Sequence, residues 1–364
     1  MDQTIRVGVV GLGFAGNVHT MAYKKIPGVE VVALAGLEED RLQLMGKEYS
    51  IPNLYSRWED LVARSDLDAV SVCTPNYLHA PVAIAALESG KHVLCEKPLA
   101  RNTEEAQSMV DAALRNRRVL QTAFNHRQRG DIMILKQYID SGTLGKIYYA
   151  KGYWMRRQGI PGLGSWFTSK ELSGGGPLID LGVHVLDQLM FLLGEPEITT
   201  VSASTYAEFG PRGRGVRRSG LQKMFVGADF DVEDLATAFM RTEDGATVCL
   251  EASWAVQADY DDDFGLDLYG TEGGAQMRVK RYGWQDTLRI FTDHGDVPVT
   301  IAPQTWQGTG HQAVVENFID AIRSGNWSAH AGHEGLRRVQ IVEACYKSAL
   351  EGREISLQSI RQNV

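Results

Sequence analysis

Ile5-Arg6-Val7-Gly8-Val9-Val10-Gly11-Leu12-Gly13-Phe14-Ala15-Gly16 is the stretch that decides the fold. An apolar run of strand length, Ile5 to Val10, passes directly into Gly-x-Gly-x-x-Gly, and a helical stretch, Val18 to Lys25, follows. A strand feeding a glycine turn that opens a helix is the setting in which the three glycines have separate jobs. Gly11 allows the tight turn, Gly13 lets the backbone approach a pyrophosphate, and Gly16 lets helix and strand pack closely. The helix N-terminus, with Phe14 and Ala15 in its first turn, offers free N–H groups and a positive dipole end to phosphate. The alternative is a plain glycine turn, and the chain beyond it decides between the two.

Four more apolar runs follow, Val29 to Ala35, Ala69 to Cys73, His92 to Cys95 and Val119 to Ala123. They alternate with helical stretches at Glu38 to Glu48, Pro81 to Ser89 and Thr103 to Asn116. Continuous apolar strands fit a parallel sheet covered on both faces, and regular alternation with helices implies right-handed crossovers and a doubly wound sheet. From about residue 125 the pattern changes. After a helix near Ile132 to Ser141 come strand-like segments at Lys146 to Arg156, Thr199 to Phe209, Leu235 to Arg241, Thr247 to Ala255 and Phe264 to Tyr269. Turn signals at Glu243-Asp244-Gly245 and Thr271-Glu272-Gly273-Gly274 link them as in an antiparallel sheet. The expected fold is α/β: an N-terminal Rossmann dinucleotide-binding domain over 1–125, then a substrate-binding and oligomerisation α/β domain over 126–364 with a large, mostly antiparallel open sheet. Chemistry is expected in a cleft between the halves.

Composition fits that division. At about 150 residues per domain, 364 residues make two domains. With 44% hydrophobic and 23% charged residues the chain has a folded protein's composition. Its net charge, 37 − 45 = −8, argues against general attraction to nucleic acid or anionic membrane. No apolar run approaches the roughly 18 residues of a membrane helix, and the N-terminal residues show no signal-peptide pattern, so a cytoplasmic location is expected. Cys73, Cys95, Cys249 and Cys345 stand far apart, so neither a disulfide nor a metal site is expected. The basic loop Pro211-Arg212-Gly213-Arg214-Gly215-Val216-Arg217-Arg218 lacks aromatic partners for nucleic acid and reads as a surface loop. It could also meet the acidic run Asp259-Tyr260-Asp261-Asp262-Asp263.

At the end of the second strand, where a carboxylate would hold the adenosine ribose, stands Gly36, with Glu38 the nearest substitute. Glu38, Glu39 and Asp40 would repel a 2′-phosphate, so NAD is favoured over NADP; Arg41 is the residue that could reverse the preference. Thr74, Pro75, Asn76 and His79 follow the third strand, at the sheet edge where nucleotides sit, although Asn76 and His79 could equally be turn and cap residues. Glu96-Lys97-Pro98 closes the next strand at the same edge, and a partly desolvated Lys97 there is suited to handling protons; a solvated lysine beside a turn is the alternative. Gly174-Gly175-Gly176-Pro177 leads into a helix from Leu178 to Phe191, apolar on most sides, with Asp180, His184 and Asp187 at i, i+4 and i+7. Polar groups on a buried helix are costly unless paired or used, so this stripe reads as an acid/base site, against an internally satisfied pair or a metal site.

Together, the glycine fingerprint, Thr74-Pro75-Asn76 with His79, Glu96-Lys97-Pro98, and Gly174-Gly175-Gly176 with Asp180 and His184 resemble the Gfo/Idh/MocA oxidoreductases over essentially the whole chain. The resemblance implies hydride transfer between a nicotinamide cofactor and a sugar, cyclitol or related polyol, and an open sheet that mediates a homodimer or homotetramer. It places Lys97, Asp180 and His184 in the substrate pocket. Asn125 and Arg127 resemble the segment after the last Rossmann strand, which puts Asn125 near the nicotinamide or substrate. Trp166 resembles an aromatic upstream of the glycine run; many relatives follow it with an arginine, where this chain has Phe167. The expected mechanism has His184 take a hydroxyl proton, Asp180 orient the imidazole or substrate, and Lys97 stabilise the alkoxide, with the His184 and Lys97 roles open to exchange. Arg156, His311 and Trp166 are further candidate substrate ligands; a salt-bridged sheet edge is the alternative for Arg156. The competing functions are an NAD-dependent glycosidase working by transient oxidation of a ring hydroxyl, and a cofactor-binding regulator without turnover.

Overall fold

The computed structural model describes residues 4–216 and 230–357, so Arg217 and Arg218 of the basic loop lie outside the described residues. Packing divides the chain into two compact units, Met1–Asn125 with Gly310–Val339, and His126–Thr309 with Gln340–Val364. In the first, β1 (Ile5–Val10), β2 (Val29–Ala35), β3 (Asn53–Tyr55), β4 (Ala69–Val72), β5 (His92–Cys95) and β6 (Leu120–Thr122) form a parallel sheet in the order β3-β2-β1-β4-β5-β6. Val7, Val9, Val70, Val72 and Val93 are fully buried, which is why these strands read as continuous apolar runs. Each such burial contributes about 2 kcal/mol. The helices are α1 (Phe14–Tyr23), α2 (Glu39–Tyr49), α3 (Trp58–Val62), α4 (His79–Glu88) and α5 (Thr103–Asn116). Asn102 fixes the start of α5 by accepting a hydrogen bond from the Glu105 N–H, and Arg117 in the left-handed region ends it. The sixth strand, β3, was not expected: at three half-buried residues it carries no periodic signal. Strand order reverses between β1 and β4, so the crevice beyond their carboxyl ends is the binding position of a doubly wound sheet.

The second unit is built on β7 (Ile147–Arg156), β8 (Ile198–Tyr206), β9 (Leu235–Thr242), β10 (Thr247–Ser253), β11 (Asp262–Gly270), β12 (Gly273–Lys280), β13 (Leu288–His294), β14 (Val297–Ile301) and β15 (Ile355–Ser356). Their order is β14-β13-β12-β11-β7-β10-β9-β8-β15, antiparallel throughout except for the parallel pair β7 and β10. Its helices are α6 (Gly130–Asp140), α7 (Lys170–Ser173) and α8 (Val183–Leu192). Leu250, Phe264 and Leu266 bury one face of the sheet with Val185 and Leu189 of α8. The one helix expected from Leu178 is two: a π-helical turn, Leu178–Gly182, precedes α8. β12 to β15 were also unanticipated, since β13 and β14 form a largely exposed hairpin with polar residues on both faces.

α9 (His311–Ser324) and α10 (His333–Glu351) follow the last long strand. Val314, Val315, Phe318 and Ile319 bury one face of α9 in the same core as Ala22, Tyr23 and Ile26, and Arg323 donates to the Pro27 carbonyl at 2.6 Å. That packing draws Gly310–Val339 into the first unit, where a contiguous division at 125 would leave them in the second. All four cysteines are free of disulfides. Among the described residues no helix is long and apolar enough to cross a membrane.

Candidate active site

The turn after β1 fits a dinucleotide pyrophosphate. Gly11 has φ +100°, where a Cβ would run into the Cys73 backbone, and a Cβ on Gly16 would run into the Gly11 carbonyl. Gly13, by contrast, faces open space and caps α1 without a side-chain hydrogen bond, so the first N–H groups of the helix remain available to a ligand. Phe14 is 76% exposed beside this turn, with Ala15 half-buried after it. Across the crevice, Thr74 Oγ1 is buried with no hydrogen-bond partner among the described residues. A buried polar group without a protein partner is available to a ligand that enters the crevice. Pro75 precedes the turn Asn76–Leu78, in which Asn76 is buried. At the end of β2 the side chain of Leu12 occupies the space a Cβ on Gly36 would need, so a side chain there would have to displace it. Glu38 and Arg41 are exposed at the start of α2.

His79 has a different part from the one its position suggests. Its two ring nitrogens lie 2.8 Å from the Pro98 carbonyl and 2.9 Å from the Thr74 carbonyl. Burial lowers its pKa against the pull of those carbonyls. The ring therefore ties the loop after β4 to the loop after β5 and presents neither nitrogen to a ligand. Lys97 is half-buried at the end of β5, and its peptide bond to Pro98 is cis.

Glu96, expected to touch the cofactor, lies at the centre of a cluster. His19 Nε2–H donates to its carboxylate at 3.0 Å and His311 Nε2–H lies 3.5 Å from the same oxygen, while His19 Nδ1 is 2.7 Å from Ser71 Oγ. Burial alone would raise the Glu96 pKa; the hydrogen bonds from His19 and His311 outweigh it and pull the group well below the usual carboxylate range. The three side-chain atoms lie within 4.8 Å of one another, and an ionised carboxylate accepting from two imidazoles accounts for that spacing. His311 thus pairs with Glu96 in the first unit, its ring 6.1 Å from that of Phe14. His19 was missed by sequence reasoning, although its place one turn beyond Gly16 was a usable signal.

In the second unit Asp180 stands in the π turn, and His184 and Asp187 on α8. Asp180, half-buried in the π turn, accepts a hydrogen bond from Trp254 Nε1 at 2.9 Å. His184 lies among rings, 4.5 Å from His126 and 5.7 Å from Trp154. Asp187 is clamped by Arg127, whose Nε and Nη2 donate at 2.7 and 2.6 Å, so this arginine is committed to a bidentate ion pair. Arg156 donates to Asp262 at 2.8 Å and to the Tyr282 hydroxyl at 3.1 Å, which is the salt-bridged alternative for that residue. The acidic run is divided between surface and core, Asp259 and Asp261 being exposed, and a contact with Arg217 or Arg218 lies outside the described residues. Asp262 and Asp263 are buried, Asp261 pairs with Arg281, and Arg212 pairs with Glu208. Asn125 opens a short helical turn, half-buried, and Trp166 stacks on Phe167 with centroids 3.8 Å apart.

The glycine run before the helix is shaped by a carboxylate that sequence reasoning overlooked. Glu233 accepts from the N–H groups of Gly176 and Leu178 at 2.9 and 3.0 Å and from the Tyr346 hydroxyl at 2.9 Å. A Cβ on Gly175 would collide with the Tyr346 hydroxyl, and one on Gly176 with the Glu233 carbonyl. Burial raises the Glu233 pKa against those donors. The carboxylate caps the N-terminus of the segment that carries Asp180 and His184, where a helix dipole favours negative charge.

A doubly wound sheet with a phosphate cradle, joined in one chain to an open-sheet unit that carries an Asp and a His on a buried helix, defines a nicotinamide-dependent dehydrogenase. Residues 5–124 match the oxidoreductase family described as having an NAD-binding Rossmann fold, and residues 132–276 match the GFO/IDH/MocA C-terminal domain. The chain is 30% identical over 358 residues to D-glucoside 3-dehydrogenase of Escherichia coli (strain K12), covering 98% of each. It is 29% identical over 371 residues to levoglucosan dehydrogenase of Pseudarthrobacter phenanthrenivorans, covering 97% of this chain and 91% of that one. The solved structure of levoglucosan dehydrogenase in complex with NADH and levoglucosan superposes with a TM-score of 0.83 at 26% identity, covering 98% of this chain and 100% of that one. The chain belongs to the GFO/IDH/MocA family of NAD-binding oxidoreductases.

Proposed function

We propose that this oxidoreductase exchanges a hydride between NAD and a secondary ring hydroxyl of a pyranoside or cyclitol, with Lys97, Asp180 and His184 as its catalytic residues. The observation that carries the proposal is a half-buried Asp180, held by Trp254, in the π turn that leads into α8, where His184 is set among aromatic rings. Such groups are costly in a structural role. NAD, when bound, supplies the hydride acceptor. His184 takes the hydroxyl proton, Asp180 orients the imidazole or the substrate, and Lys97 stabilises the developing alkoxide. Phosphate binding falls to Gly11, Gly13, Phe14, Ala15 and Gly16, with Thr74, Pro75, Asn76 and Asn125 along the nicotinamide side. Trp166 remains a candidate contact. NAD rather than NADP is supported by the carboxylates Glu38, Glu39 and Asp40, which would repel a 2′-phosphate. We also infer self-association through the open sheet face and a cytoplasmic location, the latter in keeping with four free thiols.

Incubation with NAD and a panel of pyranosides, uronates, inositols and aryl glycosides, followed by reduced-nicotinamide absorbance and product mass, tests the reading. Net NADH with an oxidised sugar is expected, and Lys97→Ala and His184→Ala should each abolish it. Sugar release without net NADH would move the assignment to redox-neutral glycoside cleavage; near-normal turnover in both variants would remove the catalytic assignment.

A further inference from the structure

The chain reversal after β12 is built from residues that resist it. Lys280-Arg281-Tyr282-Gly283 closes with a Gly283 N–H to Lys280 carbonyl hydrogen bond of 2.9 Å, and its two central residues, Arg281 and Tyr282, have φ +49° and +59°. That is a turn with both central residues left-handed, a geometry that ordinarily takes asparagine and glycine. A bulky aromatic in the left-handed region is unfavourable, and such strain persists where the surroundings hold it for use. Glycine already stands at the next position, so the chain had an unstrained residue type within one place of the turn's second centre.

What the strain achieves is the placement of one ring. Tyr282 is 48% exposed, yet its ring lies edge-on to Trp154 at 5.7 Å, Phe264 at 6.0 Å and His126 at 6.4 Å. Trp154 and His126 are the two rings against His184, so Tyr282 is the open outer member of the aromatic group whose inner member is the proposed base. Its hydroxyl is aimed by Arg156, which Asp262 holds and Trp154 Nε1 steadies by a 2.8 Å hydrogen bond to the same carboxylate oxygen. The charge of Asp180 reaches both Arg156 and Tyr282. We propose that Tyr282 is a substrate-contact residue that receives the ring of a pyranose or cyclitol, its aromatic surface against the C–H face and its hydroxyl, oriented by Arg156, hydrogen-bonding a ring substituent. Arg156 is its positioning residue. This inference rests on the sugar-oxidising reading above, and it names how the ring is held.

The test uses Tyr282→Gly, which relieves the left-handed strain while deleting the ring, and Tyr282→Phe, which keeps the ring and deletes the hydroxyl. Sugar affinity is measured two ways on the NADH-loaded full chain: by KM in turnover with the best substrate of the panel, and by saturation-transfer NMR with the same sugars, which needs no reaction. Tyr282→Gly should keep or raise the thermal midpoint while weakening sugar binding about tenfold, with NAD affinity within about twofold of the parent. Tyr282→Phe should fall between the two. Unchanged sugar affinity in Tyr282→Gly would overturn the proposal, as would a lowered thermal midpoint with unchanged affinity, which marks a structural residue. If sugars bind and weaken with Tyr282→Gly but are never oxidised, the catalytic reading fails and the contact stands. If the parent chain binds no sugar, both fail.

Discussion

Trp254 is fully buried at the end of β10, and its indole N–H is committed to Asp180. Without that donor the carboxylate loses one of the contacts that direct it. Trp254→Phe retains most of the packing and removes the N–H, so it separates orientation from bulk. A hydrogen bond to a charged group is worth about 1.5–3 kcal/mol, which predicts a fall in kcat of about 10- to 100-fold with NAD affinity unchanged. Full kcat together with a lower thermal midpoint would reduce Trp254 to a core residue. Lys97, Asp180 and His184 could be singled out from sequence because a lysine at the sheet edge and polar groups in an apolar segment are unusual for their places. Trp254, His126 and Glu233 could not, since an aromatic at a strand end or an acid before a strand means nothing until its neighbour across the fold is known. For the same reason sequence shows Arg127 and Arg156 only as cations, and the fold supplies Asp187 and Asp262 as their ion-pair partners.

At the scale of elements, β1, β2, β5 and α5 were legible to the residue, because buried parallel strands and a capped helix write themselves as continuous runs and cap signals. The π turn at Leu178–Gly182 was not, since nothing in its apolar composition distinguishes it from the helix it joins. One junction carries a pH dependence. His92 opens β5, and its Nδ1 accepts the Val119 N–H at 3.0 Å, just before β6. Burial, aided by Arg118, pushes its pKa down from 6.5 to about 4. The folded ring must be neutral to accept, whereas the unfolded ring takes a proton near the ordinary value, so the unfolded state binds more protons between these limits. The stability His92 contributes is present above pH 6.5 and is lost as pH falls towards about 4. Thermal midpoints measured across that window should fall more steeply for the parent than for His92→Asn, which accepts without titrating; parallel curves would refute the linkage.

For the whole molecule, the nine-stranded sheet buries one face and leaves the other partly open. Tyr149 stacks there on Tyr269 with centroids 5.2 Å apart, and with Phe239 and the Lys151–Glu251 ion pair it lines a hollow of about 630 Å³. An aromatic patch rimmed by charge is characteristic of an interface. Sedimentation should therefore report a dimer or tetramer, and Phe239→Glu with Tyr269→Glu should shift it towards monomer; a monomer at every concentration would exclude the sheet as an interface. The return of Gly310–Val339 to the first unit bears on how the protein is made. Synthesis runs from the N-terminus, so Ala22, Tyr23 and Ile26 leave the ribosome long before Phe318 and Ile319, the residues that cover them. The nucleotide-binding unit is begun first, yet it must hold an uncovered apolar surface until Val339 has been translated. A nascent chain stalled between His126 and Thr309 thus still lacks the helix that covers this surface, and is a client for chaperones rather than a small working cofactor-binding protein.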